Sequence, residues 1–384
     1  MQSAITAIGI ANPPYRRAQH EVAELIADGF HLNPVQKKIL KRIYTSSGIE
    51  QRHSVLIDYS KEPGEFEFFP NDPAADFPTT AQRMAVYKAN ALALALAAID
   101  DCLSEPRPLG GVADGETRPN GRGSDRSKVD ITHVITVSCT GMYAPGIDIE
   151  IVQHLNLAPS TQRTSINFMG CYGAFNGMKV ADSICKADPN ASVLLVCVEL
   201  CSIHIQKSFT LDNIISNAIF ADGAAAVLIQ AQPTNQPHLS FESFYCDIMP
   251  QTSQEMAWHI GDSGFDMVLT AYVPEAIKSG IAAFADTLLT QSRLSFSDID
   301  YFAIHPGGLK ILQACETSLN ITQHDNRFSY DVLRQYGNMS SATVVFVLKQ
   351  IWNSLSKQDD KKKIFSCAFG PGLTLESMLL HVRV

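Results

Sequence analysis

An α/β protein of two similar halves, its sheets covered by helices on both faces, is the architecture this sequence predicts. Three observations carry the prediction. Apolar strand-like runs alternate with amphipathic helical ones, the pattern of strands buried on both sides. A block of strand, loop and helix occurs twice at matching spacing. The 384 residues are 46% hydrophobic and 18% charged, which suffices in length and content for a large core.

The elements follow in chain order. Met1 to Ile10 reads as a first strand, and no basic stretch precedes it to make a secretory signal. Tyr59 to Phe77 mixes proline and acid with Phe66, Phe68, Phe69 and Phe77; those rings need somewhere to pack, so an ordered excursion is expected. A helix from Ala85 to Asp101 leads into Ser104 to Lys128, a segment rich in Gly, Pro, Arg and Asp that reads as a mobile surface loop (104–128). Val129 to Cys139 is then a buried strand, Ala174 to Cys185 a helix and Ala191 to Glu199 a strand. The second occurrence is a helix from Glu275 to Leu289, a strand from Ser297 to His305, a helix from Ser340 to Trp352 and a strand from Lys363 to Ala368. Cys171 comes 32 residues after Cys139, and Asn338 comes 33 after His305. Halves at 1–235 and 236–384 therefore each supply a loop at matching positions, which places Cys171, His305 and Asn338 around one pseudo-two-fold axis.

Composition excludes several classes. No uncharged apolar run reaches the roughly 18 residues of a membrane span. The nine cysteines are odd in number and form no C-x-x-C pair, and Cys197 and Cys201 have no His partners at metal spacing. No metal site and no disulfide framework is expected, and a reducing cytoplasmic setting fits. A net charge of −9 argues against nucleic acid as a partner, and Lys361-Lys362-Lys363 reads as a loop cap before a strand.

Cys171 lies in Asn167-Phe168-Met169-Gly170-Cys171-Tyr172-Gly173-Ala174, where an extended approach turns on glycines into a helix. A cysteine there meets the positive helix end, which favours the thiolate. The alternative is a buried small residue. His305 sits before Pro306-Gly307-Gly308, where backbone approaches a ligand closely; its alternative is a hydrogen-bonded core histidine. Asn338 precedes a helix, and its alternative is an N-cap.

Five segments in this order resemble the type III polyketide synthases, the chalcone and stilbene synthase superfamily. They are the surroundings of Cys171, Phe220-Ala221-Asp222-Gly223, His305-Pro306-Gly307-Gly308, Tyr336-Gly337-Asn338-Met339-Ser340-Ser341 and Phe369-Gly370-Pro371-Gly372. The likeness runs from Ile8 to the last strand. It implies the thiolase fold, a five-layered αβαβα arrangement of two duplicated halves, a homodimer, no cofactor, and CoA thioesters as substrates. It also implies roles. Cys171 is the nucleophile that takes a starter acyl group, held with His305 as a thiolate–imidazolium pair. Asn338 and His305 donate to the thioester carbonyl of malonyl-CoA and stabilise the enolate left by decarboxylation. Iterative condensation and cyclisation would then give a pyrone, a resorcinol or a related aromatic polyketide.

Phe220 matches the gate between the CoA tunnel and the reaction cavity, with a core Phe as the alternative. Cys139, Thr140, Cys201, His204, Ser216 and Ser340 fall on the cavity wall, His204 as a wall residue rather than a second base. Phe369, Gly370, Pro371 and Gly372 match the cavity floor, or else form a simple hairpin turn. Arg42, with Lys38 close by and Gly307 on the loop, matches the CoA-binding set, although Ser46 replaces a basic residue; a solvated helix face is the alternative. The segments Glu199 to His204 and Trp258 to Met267 look more like the bacterial and fungal members than the plant chalcone synthases. Three rivals stand beside this reading: a ketoacyl synthase that starts fatty-acid chains, whose histidine is typically followed by a Gln-Ala-Asn run; an HMG-CoA-synthase-like enzyme, which would bring a catalytic Glu that Glu199 is not persuasively placed to be; and a silent acyl-CoA-binding scaffold, which the intact Cys171, His305 and Asn338 oppose.

Overall fold

The structure, a computed structural model, describes residues 3–72, 74–104, 130–231, 233, 237–250 and 252–384. The loop expected over 104–128 lies outside these residues apart from Ser104. The chain begins with β1 (Ser3–Ala11), β2 (Tyr15–Ala18), α1 (Gln19–Gly29), α2 (Pro34–Thr45), β3 (Gln51–Ser54) and α3 (Thr80–Leu103). It continues with β4 (His133–Ser138), α4 (Ile147–His154), β5 (Gln162–Asn167), α5 (Gly173–Ala187), β6 (Ser192–Leu200), α6 (Leu211–Ile219) and β7 (Asp222–Ala231). Then come β8 (His238–Ile248), β9 (Met256–Gly261), β10 (Gly264–Leu269), α7 (Val273–Gln291), β11 (Tyr301–Ile304) and α8 (Leu309–Leu319). The last elements are α9 (Arg327–Tyr336), α10 (Thr343–Ser354), β12 (Lys363–Gly370) and β13 (Thr374–Arg383).

The main sheet repeats one plan on either side of β1 and β8. Outward from β1 run β7, β6, β4 and β5; outward from β8 run β13, β12 and β11. In both directions the first two pairings are antiparallel and the third is parallel. Among the described residues, β1 and β8 pair through Ala4 with Ser240 and Ile5 with Leu239.

Three apolar cores give the layering. One surrounds α5 and α10 between the two parts of the sheet, with Phe175, Met178, Val345 and Phe346 at its centre. A second lies under α3, and a third under α7 and α8. Strand β6 shows why its sequence is continuously apolar: Val193, Leu195 and Cys197 face the central core while Leu194, Val196 and Val198 face the outer one. Val344 to Leu348 of α10 are all fully buried, as expected of a helix that is apolar all round. Helix, sheet, helix, sheet, helix is the thiolase-like α/β arrangement.

Thr79 caps α3 by accepting from the Gln82 amide, so the helix starts five residues earlier than the sequence predicts. The excursion after Tyr59 is ordered. Phe77 packs on Phe30 and Phe69 at ring separations of 4.9 and 5.5 Å, and the buried Asp58 carboxylate accepts from the Glu67 and Phe69 amides at 2.8 and 2.9 Å. Among the described residues, no helix is long and apolar enough to cross a membrane.

Candidate active site

The starts of α5 and α10, the two central helices, meet where the halves join. Each is preceded by a short 3-10 turn, Gly170–Tyr172 and Ser340–Ala342. Gly170 has φ +74°, and a Cβ there would lie 2.2 Å from Pro371 Cδ. Only glycine lets the Cys171 turn seat on the Pro371 loop.

Cys171, His305 and Asn338 line one apolar cavity. Asn338 uses its side-chain oxygen locally, accepting from the Ser340 amide at 2.9 Å and the Thr343 hydroxyl at 3.3 Å. That fixes the amide: Nδ2 donates to Gly307 O at 3.3 Å and lies 3.9 Å from Cys171 Sγ. The capping alternative thus describes the oxygen, while the nitrogen faces the site. His305 leaves the end of β11 with its amide bonded to Cys367 O at 2.8 Å. Its ring is buried, and neither ring nitrogen has a partner among the described residues.

Burial pushes the Cys171 thiol up to about 12, against donors on Ser340 and Asn338 that favour the thiolate. Burial also drives His305 down to about 3. Neither group ionises alone, so the pair expected from sequence requires that the proton pass between them.

Beside the cavity, Glu199 ends β6 in full burial. Its carboxyl group accepts from the Cys139 amide at 3.0 Å, the Thr140 hydroxyl at 2.9 Å and the Ser341 hydroxyl, and burial lifts it from 4.5 to about 7. A protonated carboxyl also repels a neighbouring thiolate less than a carboxylate does.

Cys139, Thr140, Cys201, Phe220, Gly307, Ser340, Phe369 and Pro371 line the cavity with the central three residues. His204 and Ser216 do not: they line an adjoining cavity of about 360 Å³ that shares Cys201, Phe220, Trp258 and Met267 with the first. His204 is held at both nitrogens, donating from Nε2 to Thr140 O at 2.7 Å and accepting at Nδ1 from the Phe265 amide at 3.0 Å. With burial holding its pKa near 3, it has no lone pair or proton to spare for catalysis.

One further expectation needs correction. Gly370 and Gly372 do not line the cavity; Gly370 abuts the Tyr172 ring, and Gly372 supplies the φ of +78° that the turn into β13 requires. Lys38 and Arg42 are exposed on α2 and reach neither cavity.

Sequence reasoning missed the β9–β10 hairpin, which supplies Met256, Trp258, Met267 and Leu269 to the wall. Trp258 donates its indole N–H to Cys139 O at 2.8 Å and stands edge-on to His204, which stacks on Phe265 at 4.2 Å. An alternation of Met256, Trp258 and Ile260 signals one face of a hairpin, but not which cavity that face closes.

Comparison with known proteins bears on these positions. Residues 119–233 match the N-terminal domain, and residues 241–383 the C-terminal domain, described as those of chalcone and stilbene synthases. The alpha-pyrone synthesis polyketide synthase-like Pks18 of Mycobacterium tuberculosis is 30% identical over 97% of this chain and 90% of its own. A polyketide synthase of Dictyostelium discoideum is 33% identical over 98% of this chain, which spans only 11% of that protein. The solved C-terminal type III polyketide synthase domain of 'Steely1', a type I/III hybrid from Dictyostelium, superimposes with a TM-score of 0.85 at 31% identity, covering 100% of both chains.

Proposed function

This chain belongs to the chalcone and stilbene synthase family, whose members are polyketide synthases of the acyltransferase type, and from that premise we propose that it extends an acyl-CoA starter with malonyl-CoA through Cys171, His305 and Asn338. The observation that carries the reading is their meeting in one apolar cavity at the junction of the halves.

Attack of Cys171 Sγ on the starter thioester passes the thiol proton to His305 and expels CoA. The proton transfer leaves the cavity neutral overall, so the burial that opposes each ion alone is offset by their attraction. His305 gives that proton to the departing CoA thiolate, and malonyl-CoA then binds with its thioester oxygen toward the free hydrogen of Asn338 Nδ2 and a ring N–H of the neutral His305. Loss of CO2 leaves an enolate on that oxygen, held by donors already in place. Its carbon attacks the acyl carbonyl on Cys171, the thiolate leaves, and the chain is two carbons longer. Transfer back to Cys171 permits another round, and cyclisation to a pyrone, resorcinol or related ring ends the series. The half-buried Phe220 and Trp258 screen the thioester from water.

Lys38 and Arg42 are left to meet CoA phosphates outside the cavity mouth. A homodimer belongs to the same proposal, supported by the exposed residues of β5 at the edge of the main sheet. So does a reducing cytoplasmic setting, supported by nine free cysteines.

The test is purified protein with malonyl-CoA and starters from acetyl to long fatty and aromatic acyl-CoA, read by mass spectrometry. Condensed products that are absent with Cys171→Ala are expected. No product from any CoA starter, but turnover of a carrier-bound one, would replace this reading with the ketoacyl-synthase type.

A further inference from the structure

Behind the seam that joins Phe220 to Asn338 lies a cation that the reaction scheme does not use. Arg52, on β3, is fully buried, and its hydrogen bonds go to neutral groups. Nε donates to Gln19 Oε1 at 2.8 Å, while Nη1 donates to Asn217 O at 2.7 Å and Phe220 O at 2.6 Å. Nη2 has no partner among the described residues. The guanidinium lies 5.5 Å from the centre of the Tyr44 ring. What steadies this charge is the C-terminal end of α6, whose last carbonyls it gathers, together with the buried Asp222 carboxyl, with which it interacts electrostatically. Tyr44 and Gln19 assist by donating to Asn217 O at 2.9 Å and Ala218 O at 2.7 Å.

The same carbonyls end where the site begins. The Asn338 amide donates to Ile219 O, and the Ala221 amide to Asn338 O, both at 2.9 Å. Phe220 is therefore clamped between two bonds to Asn338, with its own carbonyl held by Arg52. Gly337, at φ +71°, closes the contact: a Cβ there would lie 2.9 Å from Ile219 O and 3.3 Å from Arg52 Cδ. The arginine stem thus packs on the residue just before Asn338.

We propose that Arg52 is a positioning residue for malonyl decarboxylation, holding Phe220 and the Asn338 amide in register from behind. The inference rests on the reading of Asn338 as enolate donor. It separates two steps of the reaction. Starter loading depends on Cys171, which α5 and the Gly170–Pro371 contact hold, whereas decarboxylation depends on the seam that Arg52 braces. Lysine keeps the charge but has no planar fork to bind two carbonyls and an amide oxygen together.

The experiment measures CO2 release from malonyl-CoA and the starter acylation burst in wild type, Arg52→Lys, Gln19→Leu and Asn338→Ala. In Arg52→Lys the kcat for decarboxylation is expected to fall about tenfold or more, the scale for a small misplacement of a reacting group, while the burst stays within about twofold. Gln19→Leu, which removes one guanidinium partner, is expected to show the same split at smaller size, and it serves if Arg52→Lys does not fold. Unchanged decarboxylation in folded variants overturns the proposal. So does an equal fall of both steps in proportion to the folded fraction, which is what a merely structural arginine would give. If wild type releases no CO2, or Asn338→Ala releases as much as wild type, the reading of the site falls, and this proposal with it.

Discussion

Replacing His305 with alanine isolates what the imidazole does for the nucleophile. Burial alone places the Cys171 thiol near 12, even with Asn338 and Ser340 donating to it. With His305 present, the proton leaves Sγ without leaving the cavity, and the apparent pKa for alkylation is expected below the roughly 8.5 of a free thiol. Without it, the thiolate must form as a lone charge, and the apparent pKa moves toward about 12. The gap exceeds about three pH units, which lowers the thiolate fraction near neutrality roughly a thousandfold. The sign is definite: the wild-type rate levels off above its low pKa, while the variant rate still climbs at the most alkaline pH. The assay is iodoacetamide labelling across pH, followed at the Cys171 peptide by mass spectrometry because the exposed Cys246 also labels. Superimposable profiles, or a wild-type rate rising through about pH 10, would refute the proton-transfer argument.

Further outcomes follow from the same geometry. Asn338→Asp keeps an acceptor for the Ser340 amide but puts an oxygen where Nδ2 faced Gly307 O, so decarboxylation should fall about 10² to 10³-fold; CO2 release at the wild-type rate would sink the donor role. Cys171→Ala should abolish acyl transfer at unchanged circular dichroism, and any residual elongation would remove Cys171 as nucleophile. Trp258→Ala should join the two cavities it borders and shift products toward larger ones, whereas an unchanged product spectrum would show that the hairpin does not set chain length. Glu199 carries a folded-state pKa raised from 4.5 to about 7. Between those values the unfolded chain ionises while the folded one keeps the proton, so stability drains as pH rises through this window. Glu199→Gln should flatten the decline of Tm over that range, and an equally steep slope would count against the protonated carboxyl.

The sheet strands were legible because burial on both faces forces continuous apolar runs, as in β6, and the central helices because α10 opens on an unbroken apolar run while α5 keeps one buried apolar face. Cys171, His305 and Asn338 were legible because each lies at the junction of such an element with a glycine-bearing turn. The excess of glycines read as floor, Gly370 and Gly372, arose because a motif records the whole loop while only some residues face inward. Trp258 escaped because the closing face of a two-stranded hairpin is decided by tertiary packing. Arg52 escaped for the opposite reason: in a short polar strand an arginine reads as solvent-facing, and its burial rests largely on the carbonyls ending α6, some 165 residues away in sequence.

The meeting of the α5 and α10 starts has a consequence for how this cavity tolerates change. Each helix directs the equivalent of about half a positive charge at the same small apolar space. The field comes from peptide groups in both halves of a duplicated fold, in a chain whose net charge is −9. It would favour in turn the thiolate, carboxylate and enolate of the proposed reaction, with no lysine or arginine among the residues lining the cavity. A side-chain substitution can remove a donor or reshape the space, but it leaves this background intact. The lineage could therefore vary its wall residues, and with them its products, while the electrostatic ground on which every anion forms stayed the same.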